Sequence, residues 1–191
     1  GGGFMLVYLS DEKKTIAVDF RSAAPKNISN NDFLFLKNNY DQRRYGYKAS
    51  GVPGTVAGLL QTHERYGKLP LKKILQPVIK QAQKGIQVSY DLNQAIGSAD
   101  QINLDSESKS IYYQNGNPVK EHLVMKRPDL AWTFREIARN GEEAFYTGSI
   151  AKKIVQAMTQ NGGYISAKDL KEYKPRFAEP IQTTYRNHKV L

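Results

Sequence analysis

Two apolar runs near the start of the chain restrict its fold more than any other feature. Phe4 to Leu9 and Thr15 to Phe20 each have the length and residue types of a strand. The polar Asp11-Glu12-Lys13-Lys14 between them predicts a turn, so the two read as a hairpin. In the second run Ile16-Ala17-Val18 is continuously apolar rather than alternating, which predicts a strand covered on both faces inside a layered structure. The first run is also the longest apolar stretch, far short of the roughly 20 residues that a membrane-spanning helix needs.

Residues 26 to 50 are rich in Asn, Lys and Tyr with little apolar period, and read as a long loop. The pattern then turns helical. Val56, Leu59, Leu60 and His63 predict one face of a helix that stops at Gly67. Leu71 to Lys84 carries Ile74, Val78, Ile79 and Ala82 at helical spacing, with Pro77 inside it predicting a kink or a second start. A weaker helix is expected over Tyr90 to Ala99, and a short strand and turn over Ile111-Tyr112-Tyr113 and Asn115-Gly116-Asn117-Pro118. Asp129 to Arg139 and Ile150 to Thr159 predict two more helices, the first ending at Gly141 and the second capped by Ser149. Ser166-Ala167-Lys168-Asp169 resembles a capping box opening a short helix that ends near Tyr173. Strand character returns around Ile181, Thr183, Tyr185 and Lys189 to Leu191.

Helices and strands in this proportion give an α/β (α+β) class. At 191 residues and 40% hydrophobic, the chain is long enough for one domain or part of a larger one. Gly1-Gly2-Gly3 stands directly ahead of strand-like residues, which reads as a start in mid-protein or a processed or engineered end, and Val190-Leu191 ends within an apolar strand, so both ends look cut. No secretory leader pattern opens the chain. There is no cysteine, which removes disulfides, thiol nucleophiles and thiolate metal sites. The formal charge of +10 admits an anionic partner. The basic residues are scattered in pairs, Lys13-Lys14, Arg43-Arg44, Lys72-Lys73 and Lys152-Lys153, without interleaved stacking aromatics, which reads against a nucleic-acid interface.

Few chemical motifs are present. There is no Gly-x-Ser-x-Gly elbow. His63, His122 and His188 lie far apart, none with a ligand at metal spacing. Gly51 to Gly58 has the glycine density of a phosphate loop but lacks the terminal Gly-Lys-Ser/Thr. It reads instead as a turn at Val52-Pro53-Gly54, a helix opened by Thr55, and a close helix contact at Gly58. Arg21 is the informative residue. It follows the strand Thr15 to Phe20 and precedes Pro25. A guanidinium fork at a rigid strand end suits a carboxylate ligand. It equally suits a structural ion pair, with Asp19 as the nearest candidate.

An ordered series of motifs carries a resemblance. Gly1-Gly2-Gly3-Phe4, Val18-Asp19-Phe20-Arg21-Ser22-Ala23-Ala24-Pro25 and Gly51-Val52-Pro53-Gly54-Thr55-Val56-Ala57-Gly58 open it. Tyr66-Gly67-Lys68-Leu69-Pro70, Phe145-Tyr146-Thr147-Gly148, Gly162-Gly163, Asp169-Leu170 and Tyr173 continue it along nearly the whole chain. The series resembles the large subunit of the gamma-glutamyltranspeptidases, also called glutathione hydrolases.

The resemblance implies a single incomplete domain over residues 1–191, a helix-rich part of the N-terminal nucleophile hydrolase fold with its four αββα layers. It implies a precursor that cuts itself into large and small subunits. The partner is then that small subunit, whose N-terminal threonine attacks the gamma-glutamyl amide of glutathione and passes the acyl group to water or to an amino-acid or peptide acceptor. Within this chain it implies no catalytic residue, no cofactor, no metal and no specific nucleic acid. Arg21 is the substrate-binding residue, holding the alpha-carboxylate of the glutamyl group, and the chain alone is inactive. It also implies a periplasmic or secreted location. Ser22 stands where the family usually has Glu, which removes an ionic support from Arg21. That departure keeps two alternatives open: a donor such as poly-gamma-glutamate, or an inactive binding module on the same scaffold.

Overall fold

The computed structural model describes residues 1–99 and 105–191. Its helices are α1 (Asn30–Asn38), α2 (Tyr40–Arg44), α3 (Thr55–Tyr66), α4 (Leu71–Lys84), α5 (Tyr90–Gly97), α6 (Ser106–Tyr112), α7 (Pro128–Tyr146), α8 (Ser149–Gln160) and α9 (Ala167–Glu172). Its strands are β1 (Phe4–Leu9), β2 (Lys14–Asp19), β3 (Ile86–Gln87), β4 (Tyr113–Gln114), β5 (Asn117–Pro118), β6 (Val124–Met125), β7 (Arg176–Ala178), β8 (Thr183–Tyr185) and β9 (His188–Val190). The chain forms two compact units, one from residues 1–68 with 140–191 and the other from 69–139.

The first unit is built on an antiparallel sheet ordered β1-β2-β7. The predicted hairpin is present, with Met5 opposite Val18 and Val7 opposite Ile16. β7 adds to the other side of β2, setting Phe177 against Val18 and Arg176 against Asp19. Side chains alternate along a strand, so each face can be read separately. Val18 and Phe20 are buried on one face. The opposite face of β1 carries Phe4, Leu6 and Tyr8, exposed at 71%, 53% and 64%. The expectation that β2 is covered on both faces is therefore corrected. This chain covers one, and leaves an apolar face open.

α3 lies on that sheet through small residues. Ala57, Gly58 and Thr62 are its buried positions. A Cβ at Gly58 would sit 2.2 Å from Cγ of Phe20, so only glycine permits the contact. The sequence pattern placed Leu59 on the buried face, but Leu59 is exposed, because close approach to Phe20 rotates the small residues inward. Below α3, Val52, Ala57, Tyr146, Ala151, Met158, Ile165 and Leu170 form the core of this unit.

Residues 26–50 are not a loop. They contain α1, α2 and a 3-10 turn at Tyr47–Ala49. α1 is opened by a capping box in which the Ser29 side chain accepts from the Asp32 amide and Asp32 accepts from the Ser29 amide. None of these helices buries a residue, which is why no apolar period announced them. α9 opens on the predicted capping box of Ser166 and Asp169, with Tyr173 at its end. At α8 the cap position is Gly148 rather than Ser149, and Ser149 is the first helical residue.

The second unit has its own small core of Val88, Val119 and Met125, packed by Leu92, Ile111 and Tyr112. α4 runs through Pro77 as one helix and ends at Gly85, with Ile74 and Val78 exposed on it. Ile111 and Tyr112 belong to α6 and not to a strand, because Asp105 caps that helix by accepting from the Ser108 amide at 2.7 Å. α7 is interrupted at Gly141, close to its expected end, where φ is 60° and ψ is −142°.

Candidate functional site

Arg21 stands in a gap between two stretches of backbone pairing. Before it, Phe20 and Gly3 exchange hydrogen bonds of 2.9 and 3.3 Å, extending the β1–β2 ladder. After it, Ala23 and Val52 pair at 2.8 and 3.2 Å. Arg21 itself is held by side chains. Asp19 Oδ1 accepts its amide at 3.1 Å, and the Tyr173 hydroxyl donates to its carbonyl oxygen at 2.8 Å. The loop is closed further on by the Lys26 amide, which donates to Asp169 Oδ1 at 2.9 Å.

The guanidinium is exposed and lies over the Phe4 ring, 5.8 Å from its centroid. Among the described residues it has no ion-pair partner. The sequence reading left open a pair with Asp19. Asp19 instead faces Arg176, Oδ2 to Nη2 at 3.6 Å, and gives its other oxygen to the Arg21 amide. Lys26 is paired with Glu172. These groups line one cleft of about 480 Å³, within the usual range for small-ligand sites. A planar cation on a fixed strand end, with Lys26 and Arg176 beside it already paired to Glu172 and Asp19, is suited to a carboxylate.

Sequence reasoning singled out Arg21 as a candidate and missed the residues that hold it. The capping box identified Asp169 as a helix start but not as the acceptor for Lys26. Tyr173 stood out as a helix end and as a member of the motif series, with no role attached to it. Its ring stacks on Tyr146 with centroids 5.8 Å apart and 9° between planes. Tyr146 in turn accepts from the Ala57 amide at 3.1 Å and donates to the Pro53 carbonyl at 2.7 Å. A Cβ at Gly54 would lie 2.0 Å from the Tyr173 hydroxyl and 2.2 Å from the Phe20 carbonyl oxygen, so Gly54 is what lets Tyr173 reach Arg21.

Asp169 is buried, and burial alone would raise its pKa. Hydrogen bonds from the Ser166 side chain and from the Lys26 and Ser166 amides outweigh that and hold it below the ordinary value. A carboxylate depressed in the folded state stabilises fully above its unfolded pKa, about 3.9, and loses that contribution as pH falls through the folded value. Asp169→Ala is expected to destabilise by about 1–3 kcal/mol at pH 7, the usual cost of stranding buried donors. The gap to wild type should narrow below pH ~4 in thermal melts. A gap independent of pH would mean that the carboxylate charge is not the stabilising form.

The whole chain is similar to known proteins. The family profile described as Gamma-glutamyltranspeptidase matches residues 1–191. The glutathione hydrolase proenzyme of Escherichia coli (strain K12) is 37% identical over 194 residues, covering 100% of this chain and 33% of that protein. The chain thus spans about a third of the length of such curated relatives. The crystal structure of Helicobacter pylori gamma-glutamyltranspeptidase superposes with a TM-score of 0.92 at 32% identity, over 100% of this chain and 55% of that one. The Bacillus anthracis transpeptidase enzyme CapD superposes with a TM-score of 0.79 at 31% identity, over 100% of this chain and 57% of that one. The mixed helix-and-strand architecture is that of the N-terminal nucleophile hydrolases. With the profile matching from the first residue to the last, the chain belongs to the gamma-glutamyltranspeptidase family.

Proposed function

We propose that residues 1–191 are one incomplete domain of the large subunit of a gamma-glutamyl acyltransferase/hydrolase, and that Arg21 holds the alpha-carboxylate of the donor. The observation that carries this is the exposed guanidinium with no ion-pair partner among the described residues, on a strand end inside a cleft. It stands at the arginine of the Phe-Arg-Glu-x-Ala-Pro motif, read here as Phe20-Arg21-Ser22-Ala23-Ala24-Pro25 with Ser22 in place of the Glu.

The chemistry lies outside this chain. A threonine at the N-terminus of the small subunit attacks the gamma-carbonyl carbon through its hydroxyl oxygen, and its own amine takes the hydroxyl proton. The amide C–N bond then breaks, the leaving amine takes a proton, and the acyl-enzyme is released to water or to an amino-acid or peptide amine. Arg21 fixes the far end of the donor and so positions the scissile bond. No residue of this chain is assigned a catalytic role, and the chain alone is inactive. The open apolar face of Phe4, Leu6 and Tyr8 supports the partner reading, since an inner sheet face of this kind needs a second layer. The Escherichia coli relative's name, glutathione hydrolase proenzyme, supports glutathione as donor and a processed precursor.

A second donor, poly-gamma-glutamate, is favoured by Lys174, which lines the cleft beside Arg21, and by the likeness to CapD. The site is extracytoplasmic and takes no nucleic acid. Among the described residues no helix is long and apolar enough to cross a membrane.

The test uses the complete protein and two donors, a gamma-glutamyl anilide and its alpha-methyl ester. The free acid is expected to turn over with kcat/KM roughly 30-fold or more above the ester, the effect of removing one member of a charge-assisted contact. Equal turnover of the two would overturn the role of Arg21. Turnover of a gamma-linked glutamate oligomer faster than glutathione would select the second donor.

A further inference from the structure

We infer that Tyr173, together with Asp19, is a positioning residue for donor binding, fixing Arg21 from both sides of its Cα. The inference rests on the proposal that Arg21 binds the donor carboxylate. Arg21 falls between the ladder that ends at Gly3–Phe20 and the pairing at Ala23–Val52. In that gap its peptide groups are met by side chains. The Asp19 carboxylate takes the amide on one side, and the Tyr173 hydroxyl donates to the carbonyl on the other. With both flanking peptide planes fixed, the direction of the Arg21 Cα–Cβ bond is fixed too. Only side-chain rotations are then left to order when a carboxylate binds.

The Tyr173 end of the clamp is itself rigid. Its ring is stacked on Tyr146, which is buried and bonded to both Pro53 and Ala57 around the start of α3. Asp19 is anchored by Arg176 from the neighbouring strand. The Tyr173 phenol stays protonated across the working range, because burial first and the Asp19 charge second raise its pKa. It is therefore always a donor to the Arg21 carbonyl.

Tyr173→Phe removes one hydroxyl and keeps the ring stack. In the complete protein, assayed with a gamma-glutamyl anilide, it is expected to lower kcat/KM roughly 2- to 12-fold, the range that one net hydrogen bond supports. The loss should fall on KM, with kcat little changed. In an Arg21→Ala background the same substitution should have no further effect, since a residue acting through Arg21 has nothing left to position. An equal fold-loss in both backgrounds would overturn the inference. So would a lowered melting temperature with unchanged KM, which marks a purely structural contact. If Tyr173→Phe fails to accumulate, Asp19→Ala releases the other side of the clamp and is held to the same pattern and the same reversal. Wild-type kinetics for Arg21→Ala alone would instead sink the donor-binding proposal, whatever Tyr173→Phe does.

Discussion

Arg21→Ala in the complete protein is expected to lower kcat/KM for gamma-glutamyl donors by a factor of roughly 30 to several thousand. Truncating one partner of a hydrogen-bonded charge pair costs about 2–5 kcal/mol, and each 1.4 kcal/mol is tenfold. Stability should hardly change, because the guanidinium is exposed and has no ion pair among the described residues to lose. Arg21→Lys separates charge from shape. Lysine keeps the positive charge but lacks the planar fork, so it should recover part of the lost efficiency and no more. The measurement is steady-state kinetics of the three proteins beside their melting curves. Wild-type kinetics for Arg21→Ala would remove Arg21 from the site. A large loss shared equally by melting temperature and activity would mean that Arg21 is part of the scaffold.

The hairpin was legible in the sequence because Phe4 to Leu9 and Thr15 to Phe20 are bounded by a polar turn, and β1 and β2 lie there. α9 was legible from Ser166 and Asp169 alone, since a capping box is a local signal that needs no tertiary context. Ser29 and Asp32 carry the same signal within a segment that has no apolar period and reads as a loop. A helix that buries nothing has no period to show, so its cap is the only evidence for it. β7 was hidden for a different reason. Arg176-Phe177-Ala178 is three residues long, and its partner β2 lies more than 150 positions away, a pairing no local pattern encodes. The site divides in the same way. Arg21 stands out as a candidate because it follows a core strand, while its proposed role comes from the resemblance of the surrounding motif. Tyr173 could not, because its role depends on Gly54 leaving room and on a carbonyl with no ladder partner. The continuous apolar run in β2 was read as two-sided burial. The residues suit that, but this chain covers one face of the sheet and leaves Phe4, Leu6 and Tyr8 exposed on the other.

Leu170→Ala is expected to cost about 2–5 kcal/mol of stability, the range for emptying a well-packed leucine site. Leu170 is fully buried and lies in the core cluster with Val52, Ala57, Tyr146 and Met158. It adjoins Asp169, whose cap and whose bond to the Lys26 amide tie α9 to the Arg21 loop. The cavity would therefore open beneath the platform that carries the site without touching the site. For 150–250 residues each kcal/mol moves the melting temperature by about 2–4 °C, and the shift shrinks with length, so in the complete protein a drop of less than roughly 20 °C is expected. Donor KM measured well below that transition should stay near wild type, the reverse of the pattern for Arg21→Ala. Leu170→Met, which conserves volume, should cost less than about 1.5 kcal/mol. If Leu170→Ala instead raises KM at a temperature where the protein is fully folded, then α9 moves when its core contact is lost. The Tyr173 clamp would then depend on packing as well as on its hydroxyl. If it melts like wild type, the core cluster does not hold α9 in place, and the rigidity of the Arg21 loop must come from its hydrogen bonds alone.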